Sequence, residues 1–165
     1  MKKLMMVAAM MLISIGAFAQ EGSTAIGVQL GYASYGSSYS PFGLGAKFQY
    51  EFIENVRGEL SADYWFPKNK VGIWDVNLNF HYTFAVGDGF KIYPLAGLTI
   101  VGWHGDETPS DTFFGFNLGF GAEYKFSNDL KGFAEFKYQR ATKDISGITW
   151  KIDGPAFNVG IAYNF

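Results

Sequence analysis

The 165-residue chain contains no cysteine. Disulfides, thiolate metal centres and a lipid-modified amino-terminal cysteine are therefore excluded. Charge is also scarce: only 17% of residues are Asp, Glu, Lys or Arg, and their formal balance is −2. There is no basic stripe of the kind that tracks a phosphate backbone, which argues against nucleic acid as a partner. Proline is rare, at 5 residues, and no apolar recurrence at helical spacing follows residue 20. Plentiful instead are phenylalanine (17), tyrosine (10) and glycine (21), and the aromatics favour strands over helices.

The first residues read as an export signal. Lys2 and Lys3 are followed by an apolar stretch from Leu4 to Ile15, then by the small-x-small site Ala17-Phe18-Ala19. The apolar stretch is too short to span a bilayer as a helix. We expect a signal peptide over residues 1–19, cleaved before Gln20, and one domain over residues 20–165. Loss of the two lysines makes the balance of charge more negative.

Downstream, large apolar and small or polar residues alternate, the period of a strand whose faces meet different surroundings. Eight segments follow this pattern: Thr24–Ala33, Phe42–Phe52, Val56–Phe66, Ile73–Phe84, Phe90–Gly102, Phe113–Phe126, Lys131–Ala141 and Gly154–Phe165. Each is long enough for a tilted membrane strand. Short links at 53–55, 85–89 and 127–130 alternate with longer ones at 34–41, 103–112 and 142–153. Outer-membrane barrels have short periplasmic turns, longer external loops and an even strand number. The link 67–72 is placed outside by parity.

Alternation alone fits a soluble barrel turned inside out, and the polar face decides. It carries Gly27, Gly31, Gly43, Gly45, Gly115, Gly119, Gly121 and Gly160 beside Lys47, Glu59, Asp63, Asp75, His81, Glu123 and Lys125. A narrow lumen needs small residues to make room for long charged neighbours, whereas solvent does not. The other face is greasy, as in Trp74-x-Val76-x-Leu78-x-Phe80-x-Tyr82-x-Phe84, with aromatics gathered towards strand ends. The fold class predicted is all-β, an eight-stranded antiparallel up-and-down transmembrane barrel.

The signal, the eight segments and the terminal Tyr163-Asn164-Phe165 resemble the small outer-membrane β-barrel family that includes the OmpA and OmpX types. Tyr93-Pro94-Leu95-Ala96-Gly97 also resembles a Tyr-Pro-x-x-Gly stretch common in these barrels. The resemblance implies an outer-membrane location, lipids as surroundings, and recognition by the barrel-assembly machinery through Phe157, Val159, Ile161, Tyr163 and Phe165. No peptidoglycan-binding module is expected after the barrel.

Within the lumen, folding the second and third segments about Glu54 sets Glu51 opposite Arg57, Gln49 opposite Glu59, and Lys47 diagonal to Glu59. Folding about Asn128 is expected to set Glu123 diagonal to Lys137 and Lys125 diagonal to Glu135. These side chains, with Asp63, Asp75 and His81, read either as a structural network filling the barrel or as a regulated ion path favouring cations. His81 beside Asp75 reads as a hydrogen-bonded lumen histidine, with a proton relay or cation site as the sharper alternative. Trp103-His104-Gly105-Asp106-Glu107 and Asp111 match no recognised calcium loop. No serine sits in a recognisable catalytic motif, so neither an enzyme nor a cofactor is expected.

Loops on a rigid scaffold carry binding, and Tyr35, Tyr39 and Trp150 are candidate loop contacts. The phase of apolar residues changes at Gly154-Pro155, which predicts a bulge or kink, with Trp150 either on a hairpin projecting above the membrane or in the outer girdle. In the fifth segment Pro94 predicts another bulge, with Lys91, Tyr93, Gly97 and Thr99 inward. The function expected is envelope integrity or surface interaction through the external loops, and the alternative is a narrow porin-like channel. The membrane-extracted protein should have the intact mass of residues 20–165, and its gel mobility should change on heating; a retained leader or an unchanged mobility would contradict this reading.

Overall fold

The computed structural model describes residues 23–35, 40–68, 71–105, 111–145 and 148–165. Among the described residues nine strand segments occur in chain order: β1 (Thr24–Ala33), β2 (Phe42–Ile53), β3 (Val56–Lys68), β4 (Val71–Tyr82), β5 (Phe84–Gly87), β6 (Phe90–Gly105), β7 (Asp111–Lys125), β8 (Leu130–Ile145) and β9 (Ile148–Asn164). β4 and β5 form one stave, because both pair with β6 in the same register. Neighbours pair antiparallel throughout, and β1–β9 together with β4–β6 closes the sheet into an eight-staved barrel. Among the described residues no helix is long and apolar enough to cross a membrane.

Closure follows from what lipid cannot provide. Hydrocarbon offers no hydrogen bonds, so a spanning sheet must leave no unpaired edge. Two of the turns at the terminal end are very tight. Asn55, with φ 68°, and Gly89, with φ 77°, take the left-handed conformation that Asn and Gly tolerate best.

The distribution of polarity is the reverse of a soluble protein's. Asn77, Asn117, Gln139 and Asn158 are fully buried, while Leu30, Phe42, Leu98, Phe114 and Phe120 are more than 60% exposed. The outer face has a Leu-rich waist, where Leu60, Leu78 and Leu98 lie side by side. Aromatic pairs flank it: Tyr50–Phe52, Tyr82–Phe84 and Tyr124–Phe126 at the terminal end, Tyr32–Phe42 and Tyr64–Phe66 at the other. This is the girdle arrangement of an outer-membrane barrel.

Two expected irregularities take other forms. β6 runs through Pro94 without a bulge, with Pro94 facing outward opposite Phe120. The missing N–H instead interrupts the neighbouring ladder at Thr83, whose own N–H donates to Asn55 O at 2.8 Å. The inward side of β6 also includes Leu95 and Val101 alongside Tyr93 and Thr99. At Gly154-Pro155 the β8–β9 register is uninterrupted, from Leu130↔Tyr163 to Ile145↔Ile148. The backbone keeps its alternation and the sequence changes which face is apolar. Trp150 and Ile152 therefore lie on the lumen side of the strand, away from the outer aromatic stripe.

The β7–β8 pairing ends at Phe114↔Thr142 and the β1–β9 pairing at Ala33↔Ala156, so the last hairpin continues beyond its neighbours as a two-stranded ribbon. Trp150 on this ribbon is 52% exposed. Leu78→Arg should lose about 2–4 kcal/mol of folding stability in lipid vesicles, the depth-dependent cost of a cation at the midplane. Urea titration of tryptophan fluorescence measures it, with Lys151→Arg on the ribbon as a control expected within about 0.5 kcal/mol.

Candidate functional site: a filled polar lumen

The inward side chains form four layers along the barrel axis. Nearest the terminal end, Arg57 Nη1 contacts Glu123 Oε2 at 2.7 Å and Lys131 Nζ reaches the same oxygen at 3.2 Å. Arg57 also donates to His81 Nδ1, through Nε at 3.3 Å and Nη2 at 3.1 Å. Nδ1 is thus the acceptor, which assigns the His81 proton to Nε2. The His81 ring stacks on Tyr93 at 4.7 Å and 11°, and the Arg57 guanidinium lies 4.8 Å from the Tyr93 ring centre.

Next comes Lys47, whose Nζ sits 2.9 Å from Glu59 Oε2 and 2.6 Å from Glu135 Oε2, over the ring of Phe133. Gln49 donates to Glu59 at 2.8 Å, and the Tyr93 hydroxyl donates to Glu135 at 2.8 Å. Glu59, His81 and Glu135 bring one ligand atom each within 4.8 Å of one another, a spacing that could hold a metal ion. The Lys47 ammonium is bound between its two carboxylates, so the chain supplies the cation itself.

In the middle of the barrel, Asp63 and Asp75 face each other directly across β3 and β4. Opposed like charges destabilise a sheet, and here Lys137 contacts both, at 3.5 and 3.9 Å. Gln29 donates to Asp63, and Trp65 Nε1 and Asn77 donate to Asp75, each at 2.5 Å. Asn117 and Gln139 extend the mesh to Asn77, Asn79 and Thr99.

Towards the external end the lumen turns apolar. Trp65, Ile73, Val101, Phe113, Ala33, Ala141 and Ala156 form a buried cluster with Tyr35, against which Trp103 and Ile152 pack. Gly31 and Gly43 make room for the indole: a Cβ there would lie 2.8 and 2.6 Å from Trp65 ring carbons. At the external rim Asp111 pairs with Lys143, and this hydrogen bond holds the Asp111 carboxyl below the usual carboxylate range.

Lys47, Arg57, Glu59, Asp63, Asp75, His81, Glu123, Glu135 and Lys137 are thus gathered in the lumen, and most of their ion pairs run across the barrel. Several expected pairings are replaced. Glu51 stands opposite Arg57 in register, yet its carboxylate lies at the rim and accepts from Asn55 N at 3.2 Å, because Arg57 turns inward to Glu123. Lys125 is exposed at the mouth, opposite Lys131, so it does not pair with Glu135. Glu123 stands opposite Phe133 and pairs with Lys131 and Arg57, leaving Lys137 to the two aspartates. Lys131 was not expected in this network, although its inward parity with Phe133 and Glu135 carries the signal. Tyr35 is buried, edge-on to Trp65 at 6.1 Å, with its hydroxyl donating to Gln139 at 2.7 Å, which removes it from the external contacts. Tyr39 lies outside the described residues. Phe157, Val159, Ile161, Tyr163 and Phe165 all project from the outer face.

The family profile described as "Outer membrane protein beta-barrel domain" matches residues 5–165. No curated protein matches the chain. Among solved structures, the chain is similar to the N-terminal β-barrel domain of Pseudomonas aeruginosa OprF, with 19% identity and a TM-score of 0.66 over 88% of this chain and 100% of that one. It is similar to Neisserial surface protein A, with 16% identity and a TM-score of 0.68 over 87% and 97%. Ail of Yersinia pestis, in complex with the heparin analogue sucrose octasulfate, aligns at 15% identity and a TM-score of 0.57 over 88% and 100%.

Lys47→Met should destabilise the barrel by about 3–5 kcal/mol, because it strands two buried carboxylates. Lys125→Met, at the exposed mouth, should change stability by less than about 0.5 kcal/mol. Urea midpoints of the two variants in vesicles provide the comparison, and equal midpoints would mean that the lumen ion pairs contribute nothing.

Proposed function

Because the chain belongs to the family of outer membrane protein β-barrel domains, we propose that it acts in that membrane as a closed scaffold. It supports envelope integrity and surface interaction through its external hairpins rather than conducting solutes. The observation that carries this reading is the sequence of fillings along the axis: an ion-pair layer, an amide mesh, then the apolar cluster around Trp65. A hydrated ion would have to displace buried charge pairs and then cross a dry section, and each step is costly.

A catalytic role lacks support in the same geometry. His81 is held between Arg57, Tyr93 and Glu59 inside the lumen, where the Tyr93 hydroxyl is committed to Glu135 and the Glu59 carboxylate to Lys47 and Gln49, so neither is free to act as a nucleophile. The ribbon of β8 and β9, with Trp150 exposed, offers a surface above the membrane for contact with an external partner. That Ail has been seen with a heparin analogue supports ligand contact as a role open to barrels of this size. On this reading Phe157, Val159, Ile161, Tyr163 and Phe165 serve as the strand recognised by the assembly machinery.

Folded protein in a planar bilayer should give no steady conductance steps. Steps that are altered by Lys47→Ala or Glu123→Gln would overturn the closed-scaffold reading and establish a channel. Replacing residues 142–153 by a short turn should abolish adhesion of cells displaying the protein while leaving its heat-modifiable mobility intact.

A further inference from the structure

At the terminal end the lumen opens into a polar recess of about 110 Å³, lined by Arg57, Lys91, Lys125, Lys131, Glu51 and Glu123 together with neighbouring amides. A cavity needs about 10–15 Å³ of such space to admit one water, so the recess has room for a small polar group. Its charge is unbalanced: four bases face two acids. Glu123 is already engaged by Arg57 and Lys131 through one oxygen, and Glu51 accepts from Asn55 N.

The remaining bases are poorly compensated. Lys125 stands directly opposite Lys131 across β7 and β8, a like-charge pair that a sheet disfavours. Lys91 stands opposite Glu123 across β6 and β7. Among the described residues the side chain of neither Lys91 nor Lys125 makes a hydrogen bond or an ion pair, and Lys125 is held through its backbone N–H, which donates to Gly89 O at 2.8 Å. The middle of the barrel presents the same problem in opposite sign, where Asp63 and Asp75 face each other, and there the chain supplies Lys137 between them. Of the pair Lys125 and Lys131, Lys131 shares Glu123 with Arg57, and the chain supplies Lys125 with no such counter-charge.

We propose that this recess is a binding site for a small anionic group, a phosphate or a carboxylate, presented from the periplasmic side. Lys91 and Lys125 contact the anion from the rim, and Lys131 and Arg57 hold its inner face. Charge-assisted hydrogen bonds from several ammonium groups suit either anion. Glu54, Asp88 and Asp129 lie on the surrounding turns and do not line the recess, so their repulsion acts from a distance and is screened by salt. The recess opens along the barrel axis, which favours a solute over the lipid surface, although a lipid headgroup carries the same phosphate chemistry.

Titration of the full mature protein in a non-ionic detergent with inorganic phosphate, followed by calorimetry, tests the proposal. Saturable binding should weaken by about tenfold or more in the Lys91→Ala/Lys125→Ala variant, since two charge-assisted hydrogen bonds to the anion are removed. It should be unchanged in Lys143→Ala/Lys151→Ala at the opposite end. A second titration with soluble short-chain phosphatidylglycerol separates the sources: tighter binding of phosphate identifies a free solute, and tighter binding of the lipid identifies a headgroup. Absence of saturable heat from wild-type protein with verified heat-modifiable mobility would overturn the site. So would equal binding by the folded Lys91→Ala/Lys125→Ala variant.

Discussion

Hydrocarbon neither donates nor accepts a hydrogen bond, and this constraint organises the whole molecule. It forces each strand to find a neighbour on both sides, so the sheet must close, and closure with only eight staves leaves a bore that side chains can fill. Polar groups then have one place to go. Once inside they must satisfy one another, because a charge left alone there is far more expensive than the same charge in water. The Lys47 ammonium between Glu59 and Glu135 is the clearest product of that demand, joining β2, β3 and β8 through one nitrogen.

The filling is made possible by residues that take little space. Gly31 and Gly43 lie beside the Trp65 indole, and at Gly121 a Cβ would come within 2.5 Å of the Tyr93 ring. Large inward side chains are thus paired with absent ones, which lets a tryptophan, a tyrosine, a histidine and several long charged residues share a narrow tube. Packing and electrostatics are not separable here. Tyr93 fills volume beside Gly121, stacks on His81 and donates to Glu135 with one side chain.

What the sequence revealed depended on distance along the chain. The faces of every stave follow from alternation, and the β2–β3 hairpin register follows from a turn of two residues, so Gln49–Glu59 and Lys47–Glu59 were legible. Arg57–Glu123, Lys47–Glu135 and Lys137–Asp63 were not, because they link residues 66, 88 and 74 positions apart and depend on how the barrel closes. Placing Lys125 and Glu51 inside by parity alone failed because parity gives direction without depth, and both sit at the mouth. The apolar cluster near the external end was missed for a related reason. Trp65, Ile73, Val101 and Phe113 break the polar pattern of the inner face one per strand, and only closure brings them together. At Gly154-Pro155 a change in hydrophobic phase was read as a change in backbone, when it marks the level at which the strand leaves the lipid.

The seam between the first and last strands has a kinetic meaning. Thr24 and Phe165 exchange hydrogen bonds across 141 positions of sequence, with Thr24 Oγ1 donating to Phe165 O at 2.8 Å and Phe165 N donating to Thr24 O at 3.0 Å. Every other pairing joins staves that follow one another along the chain, so this one completes the cylinder and carries the largest loop-closure entropy. Until it forms, two full strand edges lack their partners, and pairs that reach across the bore, such as Lys47–Glu135 and Lys137–Asp63, have no closed frame to hold them. A half-built barrel in lipid is therefore a high-energy state with no basin of its own, and the same barrier faces a folded barrel on its way out. The lifetime of the native protein in the membrane is set by how rarely that seam opens.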